Sequence, residues 1–94
     1  VETVDRSSCQ TLQWAEGLGF CDPGRGLEFL ERPEGARYNA SGGALAAWPG
    51  FAAGLVRVVE AAERLAASDR PYALAHGANG ALGQAHCVWI LGKE

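Results

Sequence analysis

Of the two histidines in this chain, His76 stands where proton transfer is commonly done. It closes the short apolar run "YALA" (72–75) and opens the glycine-rich "HGANGALGQ" (76–84). An imidazole at a strand end can take or give a proton near neutral pH. A single histidine can equally be a structural residue, and the residues alone leave both readings open. His86 and Cys87 are adjacent, which invites a nucleophile-and-base reading. Neighbours in a strand point to opposite faces, so the two cannot act on each other. Buried structural roles are expected for both. Gly77, Gly80 and Gly83 do not have the G-x-G-x-x-G spacing, and a strand is expected after them. No helix N-terminus therefore stands ready for a phosphate. The expected structure is a tight connection whose backbone lies close to something and needs φ > 0.

A second stretch, "NASGGALAAWPGFAAG" (39–54), holds four glycines and six alanines in sixteen positions, with Trp48 set directly before Pro49. Small residues let the backbone approach another surface closely, and a proline after a turn often opens a helix. The indole is read either as core or as a ring at the mouth of a pocket. Asn39-Ala40-Ser41 matches a glycosylation sequon, but no signal peptide accompanies it and glycosylation is not expected. Glu28, Glu31 and Glu34 have no paired spacing and are expected in solvent. Asp5, at a strand end, is set apart from them.

The elements that must position these residues are few. Val1–Val4 reads as a strand. Ser7 and Gln10 have capping-box spacing, opening a helix to about Leu18 that Gly17 and Gly19 end. Cys21–Tyr38 is rich in proline, glycine and charge and reads as an exposed connection with a short turn at 27–30. The strongest helix is 50–67. Arg57, Glu60, Glu63 and Arg64 form its narrow polar stripe, Glu60 and Arg64 form an i,i+4 pair, and the rest is apolar enough to be covered almost all round. Ser68, Asp69 and Pro71 stop it. Residues 72–75 and 85–91 are the last two strands, the first of them inside a sheet. The expected class is α/β, in the order β-α-loop-α-β-β.

Composition bounds the rest. Ninety-four residues make one domain at most, 1–94, and 48% apolar with 20% charged residues is ordinary for a soluble globular protein. A net charge of −3 with one lysine gives no basic surface for nucleic acid. No apolar run approaches the roughly 20 residues that would span a bilayer. Three scattered cysteines, Cys9, Cys21 and Cys87, with no C-x-x-C, argue against a disulfide framework and a zinc site and for a reducing, cytoplasmic setting. The chain starts at Val1 and has no methionine, and three strands are few for so apolar a helix, so it is expected to be a fragment.

In combination, "NASGGALAAWPGFAAGLVRVVEAAERL", "YALAHGANGALGQAHCVWIL" and "WAEGLGFCDPGRG" resemble the C-terminal end of the thiolase superfamily, especially its sterol-carrier and lipid-transfer branch. The resemblance runs over nearly the whole chain. It implies most of the second half of a five-layered αβαβα sandwich, each half being βαβαβαββ. The nucleophilic cysteine belongs to the other half. The resemblance further implies acyl-CoA as the substrate of the full-length protein, with no cofactor and no metal. Its implied partners are the missing N-terminal half, a homodimer formed through that half, and a small OB-fold and zinc-ribbon protein.

The same resemblance assigns roles residue by residue. Trp48, before the matching Pro49, occupies the place of the histidine that activates the nucleophile. Val4 in "VDRS" replaces the polar residue that supports the oxyanion, with Asp5 retained. Arg6 falls where the sterol-carrier branch has a cysteine, and His76 falls on the acid/base cysteine of Cys-x-Gly. Asn39, Ser41, Gly42, Gly43, Trp48, Gly77 and Gly80 are the expected substrate-binding positions, with His76 the remaining catalytic candidate. An indole offers an N–H donor but cannot take up a proton, and valine can neither polarise a carbonyl nor orient water. The implied function is therefore a catalytically degenerate, structural or pocket-lining domain. The alternatives are an active enzyme with altered chemistry, such as retro-aldol cleavage or acyl transfer on CoA thioesters, and a non-enzymatic interaction domain using 21–38.

Overall fold

A computed structural model describes residues 1–81 and 83–94. Three strands form one mixed sheet in the order β1-β2-β3: β1 (Glu2–Thr3), β2 (Tyr72–Asn79) and β3 (Ala85–Gly92). β1 runs parallel to β2, with Glu2 opposite Ala75 and Thr3 opposite His76. β2 and β3 form a long antiparallel pair from Tyr72–Gly92 to Asn79–Ala85. Parallel strands need a long crossover. Here it carries α1 (Ser8–Gly17), α2 (Gly26–Glu31), α3 (Gly43–Ala46) and α4 (Ala53–Ala66), with 3₁₀ turns at Pro33–Arg37 and Gly50–Ala52.

β1 and the middle of β2 are covered on both sides. α4 meets the face that carries Glu2 and Gly77: Arg57 reaches Glu2, and a Cβ built on Gly77 would lie 3.6 Å from the Cα of Gly54. Two facing glycines bring helix and strand into backbone contact. On the opposite face, Trp14 of α1 lies against His76 and His86, with ring centroids 5.2 and 5.0 Å away. The Trp14 indole N–H donates to the carbonyl of Val4 at 2.8 Å, which fixes α1 over the end of β1.

α1 starts as its sequence requires. The Ser7 hydroxyl accepts the Gln10 N–H, and Gly19, at φ 80°, closes the end. The Gln10 side chain reaches back one residue beyond the cap, to the Arg6 N–H at 2.7 Å. "YALA" lies inside the sheet as the start of the central strand. The Glu60–Arg64 pair forms at 3.8 Å.

Four expectations are corrected. First, the 21–38 connection is not merely an exposed loop. Phe20, Phe29 and Tyr38 form a ring cluster at 5.8–6.1 Å, Phe20 stacked on Phe29 and Tyr38 edge-on to both and buried, and α2 replaces a simple turn. Second, α4 is not covered all round. Its buried line is Ala53, Arg57, Ala61 and Leu65, while Leu55 and Val59 face outward. Arg57, expected on the polar stripe, is only 2% exposed because Glu2 waits beneath it. Third, β2 does not end at Ala75: it continues to Asn79, so His76 lies within a strand. Fourth, His86 and Cys87 are exposed, since β3 is an edge strand open along nearly all its length.

Candidate functional site

The site is built at the ends of β1 and β2, where an α/β sheet places its ligands. The 39–43 turn is what anchors it. Asn39 takes a left-handed conformation (φ 50°), tolerated by its short polar side chain, and Gly42 and Gly43 follow at φ 94° and 61°. That path lays Asn39 alongside β1. Its Oδ1 accepts the Thr3 N–H at 2.6 Å, and its Nδ2 donates to Asp5 at 3.0 Å. Asp5, 2% exposed, also accepts the Thr11 hydroxyl and the Ala44 N–H. Ser41 bonds Glu2 through its N–H and hydroxyl, and Arg57 completes the group by reaching Glu2 at 3.1 Å and Ser41 at 2.9 Å. Arg64 adds a second cation to Glu2 at 3.3 Å. The polar atoms of Asn39 and Ser41 are thus engaged within the chain, with β1 as their partner.

Next to this latch opens a cleft of about 720 Å³. Its floor is small-residue backbone, Gly54 of α4 and Gly77 and Ala78 of β2. Trp48, Phe51 and Trp89 supply its rings. A Cβ at Gly77 would lie 3.3 Å from the Trp89 ring and 3.6 Å from the Gly54 Cα, so glycine here lets strand, helix and ring pack closely. Trp48 is half exposed, and the Arg6 guanidinium lies over its ring at 5.1 Å. Arg6 Nη1 also points at the Gly80 carbonyl, 3.4 Å away. Arg6 reaches this place because Asp5, one residue earlier, is tied down by three donors.

The wall of the cleft carries a histidine pair. His86 lines it, and its Nδ1 lies 3.1 Å from Nε2 of His76, which is buried behind. The rings stack at 5.4 Å with Trp14 packed against both. His76 Nδ1 has no hydrogen-bond partner among the described residues. Burial holds the His76 imidazole below its ordinary pKa, and the adjacent His86 pushes the same way against a weaker pull from Asp5. The folded state therefore binds fewer protons than the unfolded chain once the pH falls below about 6.5, and stability drops from there downward. Thermal melts between about pH 7.5 and 5.5 should show this loss, and His76→Gln should flatten the slope. An equal slope in the variant would refute it.

Of the expected substrate-binding residues, Trp48, Gly77 and Gly80 meet in this cleft. Asn39, Ser41, Gly42 and Gly43 stand behind it, at the latch on β1. His76 is one histidine removed from the cleft. Its carbonyl accepts the Val4 N–H at 3.0 Å, so Val4 and His76 are neighbours across the parallel pair. Sequence reasoning named Arg6 by resemblance but missed its place beside Trp48, and it missed the His76–His86 pair, Trp14 as its packing partner, and the Glu2–Arg57 pair. The two histidines share a face because His76 pairs with Val88, two residues on from His86 in β3, and that register is not set by their spacing in the sequence. Among the described residues, no group of three metal-ligating side chains occurs. Cys9, Cys21 and Cys87 are free. No helix among the described residues is long and apolar enough to cross a membrane.

Comparison with curated proteins and with solved structures returned no match. Comparison with protein families matched the one described as thiolase C-terminal domain-like, over residues 1–93. The small mixed sheet with helices on both faces is consistent with that match. The chain belongs to the thiolase C-terminal domain-like family.

Proposed function

We propose that this domain lines the acyl-binding pocket of a thiolase-like protein of the acyl-CoA acyltransferase kind without supplying the base that such enzymes use. The observation that carries this reading is Trp48. Its ring stands on the cleft under Arg6, where the resemblance to sterol-carrier-type thiolases puts the activating histidine. An indole cannot accept the proton of a thiol. Losing a general base typically costs on the order of 10²–10⁴-fold in rate. The outward Leu55 and Val59 of α4 support a further element of the proposal, an N-terminal thiolase half that covers this face.

The test uses the protein that carries this domain, incubated with short- and medium-chain acyl-CoA thioesters while free CoA thiol is followed. Release no faster than the enzyme-free control is expected. Turnover clearly above that control would sink the degenerate reading.

A second reading, an active enzyme with altered chemistry on CoA thioesters, is favoured by one observation: His86 on the cleft wall with His76 at 3.1 Å behind it. Under that reading His76→Gln would slow turnover by roughly 100-fold or more. An unchanged rate would remove His76 from the chemistry.

A further inference from the structure

We infer that the cleft takes a flat, apolar ligand bearing a single carboxylate, with the carboxylate on Arg6 and the apolar body against the exposed rings of Trp48 and Phe51. This deepens the pocket-lining reading above and rests on it.

Charge selects the anion. The chain is acidic overall, with 11 carboxylate residues against 8 basic ones. The cleft reverses that balance: among its described lining residues Arg6 is the only charged side chain, and no Asp or Glu appears. A cationic ligand would meet Arg6 with nothing to offset it. A ligand with several phosphates would find a single permanent cation.

Geometry selects the carboxylate. The Arg6 guanidinium carbon lies 5.1 Å from the centre of the Trp48 ring, at the side of the cleft. The Gly80 carbonyl engages only Nη1, at the long distance of 3.4 Å, and no other protein partner of this guanidinium occurs among the described residues. Most of its N–H donors are therefore left for a ligand, and a guanidinium fork matches the two oxygens of a carboxylate.

Shape selects the body. Trp48 and Phe51 leave large apolar surfaces in water at the cleft, Phe51 fully. A planar hydrocarbon laid there removes apolar area from water on both partners. Cleft, cation and rings come from three separated segments, at Arg6, at 48–54 and at 77–89, so the arrangement is tertiary and not an accident of one loop.

The experiment is calorimetric titration of the whole protein with 2-naphthoate and with neutral 2-naphthamide. The acid should bind about tenfold more tightly or better, the equivalent of one charge-assisted pair at a part-exposed site. Arg6→Gln should erase that preference and leave naphthamide affinity within about twofold, and Arg6→Lys should keep part of it. Raising the salt should narrow the gap in the parent protein alone. Arg6 is exposed, and a matching thermal melt verifies that the variants fold. Equal binding of acid and amide, or a preference that survives Arg6→Gln, would overturn the carboxylate assignment and leave the apolar pocket standing. Failure of both probes to bind would overturn both.

Discussion

Arg57→Ala should lower the melting temperature by more than about 10 °C, the largest loss expected from truncating any single polar side chain in this fold. Arg57 and Glu2 are both almost wholly buried, 2% and 0% exposed, at the junction of α4, β1 and the 39–43 turn. Truncating the arginine leaves the Glu2 carboxylate in place with Ser41 and the half-exposed Arg64 as its remaining partners. Breaking a buried pair from one side typically costs about 3–5 kcal/mol, because the remaining charge cannot recover its hydration. A domain of this size holds roughly 5–14 kcal/mol in all. The loss is therefore a large fraction of the whole. The control is the double variant Glu2→Leu with Arg57→Met, which removes both charges and keeps the volume. It should melt well above Arg57→Ala, since an apolar pair needs no desolvation to be offset. A shift of only a degree or two for Arg57→Ala would show that solvent reaches Glu2 after all.

The Glu2–Arg57 pair also marks where sequence reading stops. The local features of the fold are legible: the Ser7 cap, the glycine stop after α1, the position of the long helix, and the final hairpin with its central "YALA". Each depends on residues within one turn or one strand of each other. The partner of Arg57 lies 55 positions away, and a periodicity argument sees only a charged residue among other charged residues on one helical stripe. The same limit hid the site. Trp48, Gly77 and Gly80 were candidates on local grounds and by resemblance, and they do meet in one cleft. Arg6 gave no local sign, because its place over Trp48 is set by Asp5 three donors deep in the latch. The apolar circumference of α4 misled for a related reason. Alanine and glycine cost little when exposed, so a helix rich in them can read as covered when only the 53-57-61-65 line is.

Gly43→Ala should destabilise by about 2–4 kcal/mol and should also loosen the cleft, although Gly43 does not line it. Two costs combine. At φ 61° an L-residue pays roughly 1–2 kcal/mol for the left-handed conformation. The added Cβ would then lie 2.9 Å from Asp5 Oδ1 and 3.0 Å from the Asn39 amide nitrogen. Neither neighbour can step aside cheaply. Asp5 holds Thr11, Asn39 and the Ala44 N–H, and Asn39 holds Thr3 and Asp5, so moving either forfeits buried hydrogen bonds worth about 1–3 kcal/mol when left unmade. Gly19→Ala separates the two costs, because Gly19 has φ 80° but its Cβ would meet nothing within 4 Å. It should pay only the conformational part, so Gly43→Ala should melt several degrees lower than Gly19→Ala. The consequence for the site follows from chain order. Asp5 precedes Arg6, so a carboxylate pushed off the latch carries the guanidinium away from Trp48. The preference for naphthoate over naphthamide should therefore fall in Gly43→Ala and persist in Gly19→Ala. Equal melting temperatures for the two variants would mean that the turn absorbs a methyl group freely, and that Asp5 is not what aims Arg6.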